Sequence, residues 1–216
     1  MTTEWASGPI PSAAVDLFGE RLDVAARFVE LLADTGVSHG LIGPREIPRL
    51  WGRHVLNCAV VAEAMPRVGA DVIDVGSGAG LPGIAIALAR PDLHVTLVEP
   101  MLRRTTWAEG VIEDLGLSNV TVARGRAEDF HGTITATYVT ARAVARLEKL
   151  LRWCAPLVAP GGDLVAMKGA SAEEELTAAG PISRRLGLRE GHVRILGTTV
   201  LEEPTTVVVL RRPSAY

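Results

Sequence analysis

Cysteine is scarce in this sequence. Cys58 and Cys154 are its two cysteines, and neither has a partner at CxxC spacing. Two cysteines are too few for a disulfide framework or for a four-ligand zinc site. We therefore predict two buried thiols and no metal centre.

Long apolar runs are also absent. The chain has no uninterrupted apolar stretch of about 18 residues, the length that predicts a membrane-spanning helix. Residues 1–10 lack the basic segment followed by an apolar run that marks a secretory signal. We expect a cytoplasmic protein with no membrane partner.

A surplus of positive charge is the third feature that the sequence lacks. Its formal net charge is −3, whereas proteins that bind nucleic acid usually carry a basic face. Any contact with RNA must therefore come from local patches. The 216 residues, of which 48% are hydrophobic, are enough to bury one large core.

The N-terminal part has helical spacing. Its apolar stripe ends near Gly36 and consists of Leu22, Ala25, Phe28, Val29 and Leu32. Further on, Arg45, Arg49 and Arg53 recur every four residues and would share one helix face. We predict a helical N-terminal cap over residues 1–66.

From Asp71 onward, short apolar runs alternate with helical segments, which is the pattern of βαβ units. Seven strands are predicted, at residues 72–75, 94–98, 120–123, 138–140, 163–167, 192–196 and 206–210. The helices between them are predicted at residues 82–89, 102–115, 147–158 and 172–186. The sequence thus predicts an α/β core domain over residues 67–216, built on a seven-stranded doubly wound sheet.

A glycine-rich turn joins the first predicted strand of this core to its first helix. Gly78, Gly80 and Gly83 satisfy GxGxxG, and glycines let the backbone adopt positive φ and approach a ligand closely. Glu99 ends the next predicted strand, where an acid that binds ribose is expected. The turn therefore predicts a cofactor that contains a nucleoside.

Asp74, two residues before Gly76, separates the candidate cofactors. A carboxylate there is poorly placed for the pyrophosphate of NAD, but it suits S-adenosylmethionine, which is cationic at sulfur and carries an ammonium group. We predict S-adenosylmethionine. The alternatives are a dinucleotide oxidoreductase and a turn that serves packing alone.

The chain resembles known methyltransferases in several segments. Residues 72–80 resemble the first motif of class I methyltransferases, whose Rossmann-like fold adds a final antiparallel strand. From about residue 45 to its end the chain resembles the RsmG (GidB) family. The segments that carry this resemblance are Arg53-His54-Val55-Leu56-Asn57, Gly80-Leu81-Pro82-Gly83, Gly125-Arg126-Ala127-Glu128-Asp129-Phe130, Ala141-Arg142-Ala143 and Met167-Lys168-Gly169. Asn57 stands where the family usually has Asp.

The resemblance implies an enzyme that uses S-adenosylmethionine to methylate N7 of a guanine in bacterial 16S ribosomal RNA. It places Gly76 and Leu81 at the cofactor, Ala127 and Glu128 at its adenine, and Arg142 between cofactor and substrate, as the catalytic candidate. The complete set of predicted cofactor residues is Asp74, Gly76, Gly78, Gly80, Leu81, Glu99, Ala127, Glu128 and Arg142. The predicted RNA-binding residues, each with ordinary surface charge as its alternative, are Arg49, Arg53, His54, Arg103, Arg104 and Lys168.

The catalytic groups that the sequence lacks agree with this chemistry. The fourth predicted strand is followed by no Asn-Pro-Pro-Tyr motif, and neither cysteine follows Pro or Thr as a nucleophilic thiol would. Guanine N7 attacks a sulfonium methyl with its own lone pair, so no general base is required. The expected partner is 16S ribosomal RNA or the small ribosomal subunit, and DNA is not expected. The alternatives are a methyltransferase for another base or a small molecule, and a cofactor-binding assembly factor without catalysis.

Overall fold

The computed structural model describes residues 8–142 and 145–214. The predictions for residues 1–7, for Ala143 and for residues 215–216 lie outside the described residues. No helix in the described part of the chain is both long and apolar enough to span a membrane.

A mixed sheet forms the centre of the molecule. Its strands are β1 (Asp71–Val75), β2 (His94–Glu99), β3 (Val120–Arg124), β4 (Ala136–Arg142), β5 (Val158–Lys168), β6 (Arg189–Leu196) and β7 (Thr205–Arg211). They lie in the order β3-β2-β1-β4-β5-β7-β6, where β1 to β5 run parallel and β7 pairs antiparallel with both β5 and β6. The predicted seven-stranded, doubly wound sheet with a final antiparallel strand is confirmed.

Four α-helices connect these strands. They are α4 (Gly83–Ala89), α5 (Leu102–Asp114), α6 (Leu147–Cys154) and α7 (Ala172–Arg185). The predicted helix over residues 147–158 is too long. Pro156 lies in a short 3₁₀ turn, Ala155–Leu157, after α6, and β5 begins directly behind it at Val158. Proline lacks the backbone N–H that would continue the α-helix.

The N-terminal segment is helical, as predicted, but irregular. It contains α1 (Ser12–Phe18), α2 (Leu22–Leu31) and α3 (Asn57–Ala59), joined by 3₁₀ and π-helical turns. The prediction that Arg45, Arg49 and Arg53 share the face of one α-helix is wrong. Pro48 lies inside a 3₁₀ turn, Pro44–Arg49, and a π-helical segment, Leu50–Leu56, follows.

The two faces of the sheet are covered by different elements. One face packs α6 and α7 on alternate strand residues such as Val139. The other face, which includes Tyr138, shares a continuous apolar core with α4, α5 and the N-terminal segment. The division into a cap over residues 1–66 and a core domain stays a prediction, because the N-terminal segment packs into this shared core.

Candidate active site

A pocket of about 560 Å³ opens at the carboxyl ends of the parallel strands. The strand order reverses between β1 and β4, and open α/β sheets bind ligands outside the strand ends at such a reversal. The volume is within the range of small-molecule and cofactor sites. The pocket is lined by Leu41, Ile42, Val75, Gly76, Ser77, Gly78, Ala79, Leu81, Val98, Glu99, Pro100, Met101, Arg104, Gly125, Arg126, Ala127, Glu128, Arg142 and Trp153.

The glycine loop after β1 has the backbone geometry that the sequence predicts. Gly76, Gly78 and Gly80 have φ of 71°, 56° and 73°. Residues other than glycine rarely adopt these backbone conformations. A Cβ atom on Gly78 would meet no atom closer than 3.9 Å. Gly80 differs, because its Cβ would collide with the side chain of Ile84 on α4. Gly78 thus borders the pocket, whereas Gly80 allows the loop to pack on α4.

Glu99 holds the loop from the end of β2. Its side chain is 3% exposed, and its carboxylate accepts hydrogen bonds from the backbone N–H groups of Gly78 at 3.1 Å and Met101 at 3.0 Å. Arg104 Nη1 is a third, longer donor at 3.4 Å. A carboxylate has about four acceptor positions. Glu99 therefore keeps room for a hydroxyl donor from a ligand in the pocket.

Asp74 does not line the pocket, and neither does Gly80. The Asp74 side chain is fully buried, and its Oδ2 accepts a hydrogen bond of 2.8 Å from the Gly83 N–H at the start of α4. Burial raises the pKa of Asp74 to about 7, and the Gly83 N–H and the charge of Arg142 oppose this shift. Asp74 therefore ties β1 to α4 beneath the loop, and its predicted contact with a cofactor stays a prediction.

The loop after β3 supplies a second wall. It forms a short 3₁₀ turn, Ala127–Phe130, which begins where Asp129 Oδ2 accepts a hydrogen bond of 2.8 Å from the Arg126 N–H. Ala127 is buried and Glu128 is exposed, and both line the pocket. This is the part of the pocket for which the family resemblance implies adenine contacts.

Arg142, at the end of β4, is held by the N-terminal segment. Its Nη1 lies 3.1 Å from His54 Nδ1, and His54 Nε2 lies 2.8 Å from Glu46 Oε2. Arginine cannot accept a hydrogen bond, so Nδ1 is the acceptor and the proton of the neutral ring is on Nε2. Burial lowers the pKa of His54, and the charge of Arg142 lowers it further. The hydrogen bond to Glu46 acts in the opposite direction. The ring is therefore neutral at pH 7.

The remaining predicted RNA-binding residues are scattered. Arg104 lines the pocket, but its neighbour Arg103 lines a separate groove beside α2. Arg49 and Arg53 are exposed, and both are within 4 Å of Glu46, at 3.9 and 3.6 Å. Neither lines the pocket.

Lys168 is nearly buried and has partners within the protein. Its side chain is 7% exposed, and its Nζ donates to the Ala145 carbonyl at 2.7 Å and to Glu175 Oε2 at 2.8 Å. The side chain fastens the end of β5 to α7 and to the chain leading into α6, and its predicted contact with RNA stays a prediction.

Sequence reasoning missed several lining residues. Leu41 and Ile42 come from the N-terminal segment and Trp153 comes from α6, and no local motif marks any of them. By contrast, Trp51 and Trp107 are 4% and 7% exposed and belong to the core. For Trp153, the sequence did offer one signal of a functional position, because this tryptophan lies within a short basic helix.

The sheet order, the glycine loop and the acid at the end of β2 together define a class I methyltransferase fold. Solved structures agree: the chain matches TrmN from Thermus thermophilus at a TM-score of 0.55 and 22% identity, over 73% of this chain and 48% of that one. A SAM-dependent O-methyltransferase from Thermotoga maritima matches at a TM-score of 0.56 and 12% identity, over 73% of this chain and 64% of that one. At these identities the likeness concerns the fold alone, and the chain spans about half the length of the Thermus protein.

The family is given by closer relatives. The family model GidB, described as rRNA small subunit methyltransferase G, matches residues 21–198. The ribosomal RNA small subunit methyltransferase G of Pseudarthrobacter chlorophenolicus is 54% identical, over 93% of this chain and 94% of the relative. The protein of the same name from Thermobifida fusca is 55% identical, over 93% of this chain and 84% of the relative. The chain belongs to this family of methyltransferases.

Proposed function

We propose that the protein transfers a methyl group from S-adenosylmethionine to N7 of a guanine in the 16S RNA of the small ribosomal subunit. The observation that carries the proposal is the position of Arg142, which lines the cofactor pocket and is fixed by His54. Membership of the rRNA small subunit methyltransferase G family supports the substrate. With that substrate, the enzyme works in the cytoplasm and needs neither DNA nor a membrane.

The pocket fits S-adenosylmethionine. Gly78 leaves open space above the loop, and Glu99 keeps acceptor capacity for a ribose hydroxyl. Ala127 and Leu81 provide apolar wall, and Glu128 adds a carboxylate at the rim. When bound, this donor supplies an electrophilic methyl group on a sulfonium sulfur.

The groups around the pocket suit direct transfer to a ring nitrogen. Burial raises the pKa of the Cys58 thiol to about 12, and burial also raises the pKa of Cys154, so neither thiol is a ready nucleophile. N7 needs no deprotonation before it attacks. Catalysis then consists mainly of alignment in a partly desolvated pocket. In well-oriented systems, alignment lowers the activation barrier by about 7 kcal/mol or more.

Arg142 suits the recognition of guanine. Of the five N–H donors of a guanidinium, the described contacts use one, from Nη1 to His54. The others can donate to guanine O6, which adenine replaces with an amino group. N7 has to stay free for the methyl group, so we assign Arg142 to O6 and not to N7.

The experiment is incubation of the protein with methyl-labelled S-adenosylmethionine and small subunits from cells that lack this modification. We expect the label in one 16S guanine, released on nuclease digestion as 7-methylguanosine. Free guanosine and naked 16S RNA in parallel distinguish a small-molecule enzyme from an RNA enzyme. Cofactor binding without turnover on any of these substrates would favour the non-catalytic assembly factor instead.

A further inference from the structure

Helix α6 presents a basic face that the site described above does not use. Its apolar residues Leu147, Leu150, Leu151 and Cys154 are buried against the sheet. On the outside, Arg146, Lys149 and Arg152 are exposed. They are spaced three residues apart, so they are neighbours along one side of the helix and extend over about 9 Å. We call these three residues the α6 basic face.

The charges of this face are not neutralised by ion pairs. Within the described residues, no carboxylate lies within 4.0 Å of the cationic atoms of Arg146, Lys149 or Arg152. Glu148 is the acid beside them in the same surface depression, which leaves a net charge of about +2 there. By contrast, Arg49 and Arg53 share Glu46. The α6 basic face is therefore a local positive patch in a chain whose net charge is negative.

Arg146 and Lys149 relate the face to the pocket. Arg146 follows Arg142 by four residues, so their Cα atoms lie within about 14 Å of each other. Lys149 Nζ lies 5.0 Å from the centre of the Trp153 ring, and Trp153 lines the pocket together with Arg142. This cation–π contact holds the Lys149 ammonium beside the pocket wall.

We propose that the α6 basic face binds backbone phosphates of the RNA strand next to the target guanine. The inference rests on the proposed function, because it takes Arg142 as the point where the base enters. Exposed cations without a carboxylate partner attract phosphate strongly, since each contact releases counterions from the RNA. Such contacts set the position of the strand and carry no base specificity. They explain how an acidic protein binds an anionic substrate at this edge.

The test compares the salt dependence of RNA binding by the wild type and by Arg146→Gln/Lys149→Gln/Arg152→Gln. Glutamine keeps the helix propensity and the approximate length of these side chains. The probe is a naked fragment of 16S RNA, with S-adenosylmethionine present. Each lost contact flattens the log–log slope by about 0.7, so three contacts flatten it by about 2. For proteins of equal affinity at 1 M salt, that difference corresponds to about 100-fold weaker binding at 0.1 M salt.

The control is Arg184→Gln/Arg185→Gln/Arg194→Gln, which removes the same charge from the far end of α7 and from β6. We expect it to keep the wild-type slope, since a general effect of net charge would flatten both slopes alike. Both variants should bind S-adenosylmethionine within about twofold of the wild type, which shows that they are folded.

The outcomes separate the two proposals. Equal salt slopes for the α6 variant and the wild type would overturn the α6 inference. The proposed function would then still be supported if the wild type forms 7-methylguanosine. A loss of binding to assembled subunits without any change on naked RNA would also overturn it, because the partner of α6 would then be a ribosomal protein. Label at a different RNA atom, with a flattened slope, would contradict the N7 assignment alone.

Discussion

Arg142 and His54 are 88 residues apart in the chain, yet Arg142 Nη1 donates a hydrogen bond of 3.1 Å to His54 Nδ1. This contact joins the end of β4 to the N-terminal segment. The next link, from His54 Nε2 to Glu46, fixes the ring. The N-terminal segment therefore orients the side chain that we assign to the target base.

Replacing His54 by Leu should slow methyl transfer by about 10- to 100-fold, because displacement of a positioning group by about 1 Å has effects of that size. S-adenosylmethionine affinity should change little, since His54 does not line the pocket. His54→Asn, whose side-chain oxygen can replace Nδ1 as acceptor, should recover part of the rate. Single-turnover rates and calorimetry measure both quantities, and equal rates for the Leu and Asn variants would exclude the hydrogen bond as the cause.

Asp74 gives the protein a specific pH dependence. Its pKa rises from an ordinary value of about 4 to about 7 through burial. Between these two pH values the folded state holds a proton that the unfolded chain has released, so the free energy of unfolding falls as the pH rises. Asp74→Asn removes this contribution. The wild type should thus lose more stability than Asp74→Asn between pH 5 and pH 8, by up to about 3 kcal/mol in urea unfolding.

The same variant separates two roles for Asp74. The amide of Asn can still accept from the Gly83 N–H, so the loop should keep its position and S-adenosylmethionine affinity should change by less than about fivefold. A carboxylate in direct contact with the cationic cofactor, as the sequence first suggested, predicts a much larger loss. If the free energies of unfolding of the wild type and Asp74→Asn differed by the same amount at every pH, the raised pKa of Asp74 would be contradicted.

Gly78→Val should abolish cofactor binding and leave a folded protein. The backbone there has φ of 56°, which costs a branched residue of order 1–3 kcal/mol, and the new side chain would point into open pocket space. Gly69→Val is the matched control. Gly69 has φ of 64° and open surroundings too, but it does not line the pocket. Calorimetry should find that S-adenosylmethionine binding is lost in Gly78→Val and kept in Gly69→Val. Comparable binding by both variants would show that the glycine loop does not contact the cofactor.

The two lysines should behave differently. Lys168→Met breaks a nearly buried pair with Glu175 and should cost about 2 kcal/mol, between the values for exposed and buried pairs. That corresponds to a fall in Tm of about 4–8 °C for a chain of this size. Lys149→Met, on the exposed face of α6, should leave Tm nearly unchanged and weaken RNA binding. Thermal unfolding and RNA titration of both variants check this reversal.

Local patterns in the sequence predicted much of the fold and part of the site. The strands, the positive φ of the glycine loop and the pocket position of Glu99 follow from local patterns in the sequence. The pocket positions of Ala127 and Arg142 were implied by the family resemblance. The buried partners of Asp74 and Lys168 were not foreseen, and their predicted roles at the cofactor and at RNA stay predictions. Residue type and spacing do not say which side chain a neighbouring helix will cover, and α4 and α7 cover these two.

The contacts between distant segments could not be predicted from spacing. His54 meets Arg142 only after the N-terminal segment has packed on the sheet. Leu41 and Ile42 reach the pocket for the same reason. A local motif carries no information on such long-range packing, and the irregular 3₁₀ and π-helical turns of this segment leave no clear periodic pattern.

The most direct test of the account is a single-turnover measurement with Arg142→Ala and Arg142→Lys on saturating small subunits, with the labelled nucleotide identified. We predict 7-methylguanosine from the wild type, a rate at least about 100-fold lower for Arg142→Ala and S-adenosylmethionine affinity within about fivefold of the wild type. Arg142→Lys should recover little, because an ammonium lacks the planar fork. Wild-type rates in Arg142→Ala, or a label on any atom other than guanine N7, would contradict the account.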